Sequence, residues 1–184
     1  MAKVTFNTAF DMENYPIWNG DVVSATAAQM VISNGSFSST YSGSFTYPSN
    51  TIVLGTITGF TLQLNGTLLV SASGLTTDAG VASDIVLTGG SQKDIFKYAL
   101  KGADTFEGSA QRDTILAFDG NDRISGLGGD DKIDGGAGFD SVVMFGASAD
   151  HDLRGDTLLG LERRLGRIAG PSAARYAAAL RAHR

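Results

Sequence analysis

Gly135-Gly136-Ala137-Gly138-Phe139-Asp140-Ser141-Val142-Val143 is the stretch whose reading decides the fold. It has the form G-G-x-G-x-D-x-U-x, where U is a large apolar residue, and it is the last member of a series with a nine-residue period. Nine residues earlier stands Gly126-Leu127-Gly128-Gly129-Asp130-Asp131-Lys132-Ile133-Asp134, and nine before that Ala117-Phe118-Asp119-Gly120-Asn121-Asp122-Arg123-Ile124-Ser125. Both keep the fourth-place Gly, the Asp and the apolar U residue. The segments 108–116 and 99–107 are more degenerate but still place Asp113 before Ile115 and Asp104 before Phe106. A further copy, Gly89 to Lys97 with Asp94 and Phe96, is offset by one extra residue, Tyr98, and Asp84-Ile85-Val86 is a weaker one still.

This spacing has a mechanical consequence. Glycine admits positive φ and close backbone approach, so the first six residues of each unit form a tight turn whose carbonyls converge. The last three form a short strand with its middle side chain facing inward. Two units make one coil of 18 residues, so turns 18 apart stack on one edge at roughly 4.8 Å. Asp113 then lies over Asp131, while Asp104, Asp122 and Asp140 form the opposite column.

Stacked carboxylates about 5 Å apart repel by roughly 3 kcal/mol at an effective dielectric near 20. Ca²⁺ relieves this, because it accepts six to eight oxygens from carboxylates and carbonyls together. The best-formed site joins the turn of Gly120 and Asp122 to the turn from Gly135 to Asp140. A second joins the Asp113 turn to that of Gly126 to Asp131, weakened where Ser109, Ala110 and Gln111 replace glycines, and a third joins Asp104 to Asp122. Asp119, Asp130 and Asp134 lie off the ladder and read as solvated charge. A flexible Gly/Asp linker is the bland alternative, but it offers no reason for an apolar residue at a fixed place in consecutive nines.

The segment 84–162 resembles the hemolysin-type (RTX) calcium-binding repeats of bacterial proteins exported by type I secretion, and Asp156-Thr157-Leu158-Leu159-Gly160-Leu161-Glu162 is similar to the D-T-L-x-G-[IL]-E block that follows such repeats. The resemblance implies a β-roll that stays unfolded inside the cell and folds on meeting extracellular calcium. It carries the calcium role to the positions that match the motif: Gly102, Asp104, Asp113, Gly120, Asp122, Gly126, Gly128, Gly129, Asp131, Gly135, Ala137, Gly138 and Asp140. It also implies the type I machinery as a partner.

Composition is ordinary for a folded chain, and export is what the resemblance implies. Of 184 residues, 42% are apolar and 18% charged, and there is no Cys, which removes disulfides, thiol catalysis and cysteine zinc sites together. The formal net charge of -5 is uneven: residues 1–153 hold 17 acids against 7 bases, and residues 154–184 hold 7 Arg against 2 acids. The acidic body argues against nucleic acid and for divalent cations. No window of 18 apolar residues marks a membrane span. The first 15 residues lack a basic segment followed by an apolar one, so no cleavable signal is read there.

Residues 1–80 are rich in Ser, Thr, Gly and β-branched residues. Phe60, Leu62 and Leu64 alternate up to Asn65-Gly66, and Leu68, Val70 and Ala72 alternate away from it, a type I′ hairpin pattern. A second hairpin turns at Asn34-Gly35, and Ser44–Tyr47 and Thr51–Ile57 continue the meander around Pro48-Ser49-Asn50. The sequons at Asn34 and Asn65 read as these turns. The expected organisation is all-β: an antiparallel sheet or sandwich over 1–80, a parallel β-roll over 81–145, and a C-terminal flank over 146–184. This N-terminal part resembles the Ser/Thr/Gly-rich β-region ahead of the repeats in some bacterial calcium-binding proteins. Phe10, Tyr15 and Trp18 read as core, with an aromatic binding patch as the alternative.

In the flank, Ser172 caps a short Ala-rich helix at 173–181. That tail reads equally as an export signal, as the product of a displaced reading frame, or as a plain solvated helix. The chain has two histidines, His151 and His183, and no H-E-x-x-H or G-x-S-x-G motif, so protease and lipase readings fall away and no enzyme is expected. His151 between Asp150 and Asp152 reads as a surface turn. Two other functions stay open: an adhesin whose N-terminal sheet binds a glycan or surface with the roll as stalk, and a heme carrier, for which no axial His is convincing.

Overall fold

The computed structural model describes residues 1–15, 20–49, 52–144 and 152–154. In chain order the elements are β1 (Lys3–Phe6), β2 (Asp21–Ala25), β3 (Gln29–Ser33), β4 (Phe37–Ser49), β5 (Ile52–Leu64), β6 (Thr67–Asp78), α1 (Ala79–Leu87), α2 (Gln92–Ala99), β7 (Thr105–Glu107), β8 (Thr114–Leu116), β9 (Arg123–Leu127), β10 (Lys132–Asp134), β11 (Ser141–Met144) and β12 (Asp152–Arg154). The described residues are mostly strand. Among the described residues no helix is long and apolar enough to cross a membrane.

Strands β2 to β6 form the antiparallel meander that the alternation predicts. Asn65 and Gly66 both take positive φ, 50° and 79°, as a type I′ turn requires. Along β4, Ser39, Tyr41, Phe45 and Tyr47 turn to the packed face, and Ser42, Ser44 and Thr46 face water. The C-terminal strands are three to five residues long and pair in parallel at the 18-residue offset: Phe106 with Ile124, Ile124 with Val142, and Ile115 with Ile133.

The two halves share one sheet. Strand β1 pairs antiparallel with β6 and parallel with β7, giving the order β11-β9-β7-β1-β6-β5-β4-β3-β2. One row of facing residues crosses the join: Val142, Ile124, Phe106, Val4, Ala72, Phe60, Tyr41 and Met30. The second wall, β12-β10-β8, covers the roll half of this sheet, and the helices pack over β5 and β6 in the other half. A boundary at residue 80 therefore does not separate two units, because the core is continuous from Phe45 to Ile133. The roll also runs past residue 145: β12 adds Leu153 beside Ile133.

The segment expected to open the roll is helical instead. Asp78 caps α1 by accepting the Val81 amide at 3.0 Å. Gly89 (φ 83°) and Gly90 close α1 with amides donated to Val86 O at 3.2 Å and Ile85 O at 2.8 Å, the paired bonds of a Schellman motif. Ser91 and Asp94 then form a reciprocal capping box at the start of α2. Asp94 is thus a helix cap and not a rung of the carboxylate ladder. Phe96 packs edge-on to Phe10, with ring centroids 6.4 Å apart, and not inside the roll. Asp84 and Ile85 lie within α1. The competing local signal is the S-x-x-D cap, whose side-chain bonds hold residues 91–94 in a helical turn. Replacing Ser91 with Ala should cost about 1 kcal/mol and raise hydrogen exchange selectively at the amides of α2.

Candidate metal centre

Each repeat carboxylate is buried and tied to the turn below. Asp140 Oδ1 accepts the Asp122 amide at 3.0 Å, and Asp122 Oδ1 accepts the Asp104 amide at 2.7 Å. In the other column Asp131 Oδ1 accepts the Asp113 amide at 3.0 Å. The 18-residue stack is continued by backbone bonds from Arg123, Lys132 and Ser141 to the carbonyls of Asp104, Asp113 and Asp122 at 2.7–2.8 Å. All five aspartates are at most 7% exposed.

The turns divide into two kinds. In the repeats beginning at 117, 126 and 135, the second and fourth places lie in the left-handed region: Phe118 and Gly120 at φ 69° and 141°, Leu127 and Gly129 at 63° and 108°, Gly136 and Gly138 at 76° and 129°. No residue from 99 to 113 has positive φ. There Ser109 donates its amide (2.6 Å) and hydroxyl (3.0 Å) to Asp113 Oδ2, closing the turn internally.

The structure brings the 117–122 and 135–140 turns together directly. Gly120 N–H donates to Ala137 O and Ala137 N–H to Phe118 O, both at 2.8 Å. A Cβ at Gly138 would overlap the carbonyl of Gly120, and one at Gly120 would overlap that of Gly102. Gly126 and Gly135 lie against Oδ2 of Asp131 and Asp140, where a Cβ would overlap the carboxylate. Gly128 lies beside Ala110, with its amide donating to Ser109 O at 3.2 Å. Of the acids off the ladder, Asp119 and Asp130 are not part of any buried column, and Asp130 lies at the outside of its turn. Asp134 is half-buried and accepts the Gly136 amide at 3.0 Å, so it helps shape the last turn.

Electrostatics mark Asp122 in particular. Burial raises its pKa to about 6, opposed by the Asp104 amide and reinforced by the charges of Asp140 and Asp104. Burial also raises Asp113, offset by hydrogen bonds from Ser109 and Phe10. Asp122 Oδ2 is buried with no hydrogen-bond partner. Among the described residues no three acidic or imidazole side chains cluster, so a cation here must complete its shell with carbonyl oxygens. Calcium accepts such a mixed oxygen set, whereas softer metals favour nitrogen and sulfur.

Residues 2–12, unmarked by any repeat signal, supply an extra coil beneath the first repeat. Val4 lies in register with Phe106, and the Asp11–Thr114 bridge places Met12 against Ile115. The Ala2 amide donates to Asp104 Oδ1, and the Phe10 amide to Asp113 Oδ1 at 2.8 Å. Backbone amides from the chain start thus occupy the places that later repeats fill with Asp amides. The ion pairs Lys3–Glu107 and Lys132–Glu13 fasten this coil to the roll. Alternating Val4/Phe6 and Phe10/Met12 is the only sequence signal of it. Phe10 is buried and stacks on Tyr15 at 4.7 Å, a core role. Trp18, His151, His183, the 156–162 block and the tail lie outside the described residues.

Buried, stacked aspartates on glycine-shaped turns define a calcium-binding parallel β-roll. Residues 98–131 and 119–142 match the family model of the RTX calcium-binding nonapeptide repeat, in four copies. The chain therefore carries RTX repeats, and these bind Ca²⁺. No curated protein and no solved structure matches the chain.

Proposed function

We propose that the chain is a secreted, non-enzymatic protein whose roll folds when it binds extracellular calcium after type I export. The observation that carries this reading is the buried Asp122 Oδ2, without a hydrogen-bond partner, in a column of carboxylates whose 117–122 and 135–140 turns share the same left-handed geometry. In this reading Asp122 and Asp140, with carbonyls of the 117–122 and 135–140 turns, hold the principal ion. Asp131 and Asp113 form a weaker site, because Ser109 already satisfies Asp113. Asp104 is the weakest, since the Ala2 amide engages it. Calcium would neutralise the column of carboxylates and so allow it to close. Burial of Asp122, the absence of catalytic motifs and the low calcium of a bacterial cytoplasm implied by the resemblance all support a folding switch.

Far-UV circular dichroism during a calcium titration tests it. The β signal of β2 to β6 should be present in EDTA, and a further gain should appear with Ca²⁺ and not Mg²⁺, whose strict octahedral shell dehydrates reluctantly. The gain should be lost in Asp122→Ala with Asp140→Ala. A spectrum indifferent to calcium would sink the proposal.

The pH dependence has a definite sign. A folded-state pKa of about 6 against 3.8 in the unfolded chain stabilises the metal-free roll below 3.8, and this contribution is lost as pH rises through about 6. Calcium binds the ionised form, so its midpoint should tighten over the same window. Thermal scans with and without calcium should therefore move in opposite directions with pH.

A further inference from the structure

The sheet half opposite the roll is covered incompletely. Helix α1 meets it through the small residues Ala79 and Ala82, and no residue of α2 is fully buried. Between helices and sheet lie three neighbouring cavities that share wall residues. The outer one, of ≈ 240 Å³, is lined by Val22, Met30, Ile32, Ala82, Val86 and Leu87. Tyr41, Ile57 and Ile95 also line the next cavity, a narrow apolar throat beside Phe60, Val70 and Phe96. Leu75, Thr77 and Ala99 form a wall common to the throat and a polar chamber of ≈ 280 Å³ lined by Tyr98 and Lys101.

Two features point to an occupant. Thr77, 5% exposed, stands where throat and chamber meet, and its hydroxyl has no hydrogen-bond partner. Beyond it, Lys101 Nζ is held 4.5 Å above the Tyr98 ring and presents a cation to the chamber. Asp104 also borders the chamber, but its carboxylate is buried and engaged by the Ala2 amide. At the other end the rim is apolar and open to solvent, with Leu87 72% and Val22 57% exposed. An apolar path that ends in a buried hydroxyl and then a cation matches a long alkyl chain bearing a carboxylate.

We propose that the cleft between the α1–α2 hairpin and the sheet binds a long-chain fatty acid, with its alkyl chain along the throat and outer compartment and its carboxylate at Thr77 and Lys101. The loosely seated α2 is the element that yields to admit the chain. The outer compartment and throat lie away from the calcium turns, and only the polar chamber touches them, at Gly102 and Asp104 of the weakest site.

The test is titration of the delipidated full-length protein, with its calcium bound, with a fluorescent polyene fatty acid kept below the solubility of its calcium salt, and with the alcohol of the same chain as competitor. Saturable binding is expected. Ser83→Trp, which fills the outer compartment from its half-buried edge, should abolish it without changing the far-UV spectrum. Lys101→Met should weaken the acid by roughly tenfold, the scale of a charge-assisted hydrogen bond, and leave the alcohol unchanged. Thr77→Val should weaken both. Absence of binding by the wild type, binding unaffected by Ser83→Trp, or equal losses for acid and alcohol in Lys101→Met would overturn the assignment. So would a self-associating protein whose dimer, and not fatty-acid binding, is lost in Ser83→Trp.

Discussion

Phe106→Ala should lower the unfolding free energy by about 3–5 kcal/mol, the usual cost of emptying a buried phenylalanine site. Phe106 is 1% exposed and lies in the facing row between Val4 and Ile124. It therefore sits where the antiparallel sheet and the roll share strand β1. A cavity there removes contacts from both halves, and the loss should appear in both. In chemical denaturation with calcium present, far-UV signal and tyrosine fluorescence should shift together to lower denaturant. A shift confined to the far-UV roll signal would mean that the shared strand does not couple the halves. Phe139→Ala is the control: it removes a ring of equal size that is 78% exposed, so its effect should stay within about 0.5 kcal/mol.

Gly138→Ala is expected to be the most damaging single-methyl change in the roll. Gly138 has φ 129°, a region that L side chains rarely enter, and its Cβ would overlap the Gly120 carbonyl in the turn stacked against it. Backbone strain alone contributes about 1–3 kcal/mol, and relieving the overlap must part the 117–122 and 135–140 turns. The calcium midpoint should therefore rise by at least about tenfold, or roughly 1.4 kcal/mol, with Tm falling in parallel. Gly35→Ala separates the two causes, because Gly35 has φ 90° but a methyl added there would meet nothing within 4 Å. It should cost only the conformational penalty of about 1–2 kcal/mol and leave calcium binding unchanged. Equal calcium midpoints for the two variants would show that the stacking of these turns is irrelevant to the metal.

The repeat array is readable because each of its requirements is local. Gly at the fourth place serves positive φ, U faces inward, and Asp recurs at the offset that stacks it, so Asp122 over Asp104 and Ile124 beside Phe106 follow from counting. The same counting misreads Gly89 to Lys97. There the glycines end one helix and Ser91 and Asp94 begin the next, so the residue types of a calcium turn serve as helix caps. Phe118 and Leu127 carry the opposite lesson. Side chains hold positive φ at 69° and 63° in the place where the motif has glycine, because the stacked turns on either side fix the backbone.

By itself the sequence determined the all-β class, the hairpin at Asn65-Gly66, the nine-residue register and the calcium chemistry, since turn conformation, side-chain alternation and carboxylate spacing act over a few residues. Only the tertiary structure decided that residues 2–12 close the bottom of the roll, that β1 joins two kinds of sheet, and that the helices leave an apolar cleft over the other half. The contacts responsible for the first of these, Ala2 with Asp104 and Phe10 with Asp113, span 102 and 103 residues. They use a backbone N–H, which every residue but proline carries, so nothing in the identity of Ala2 or Phe10 could announce them.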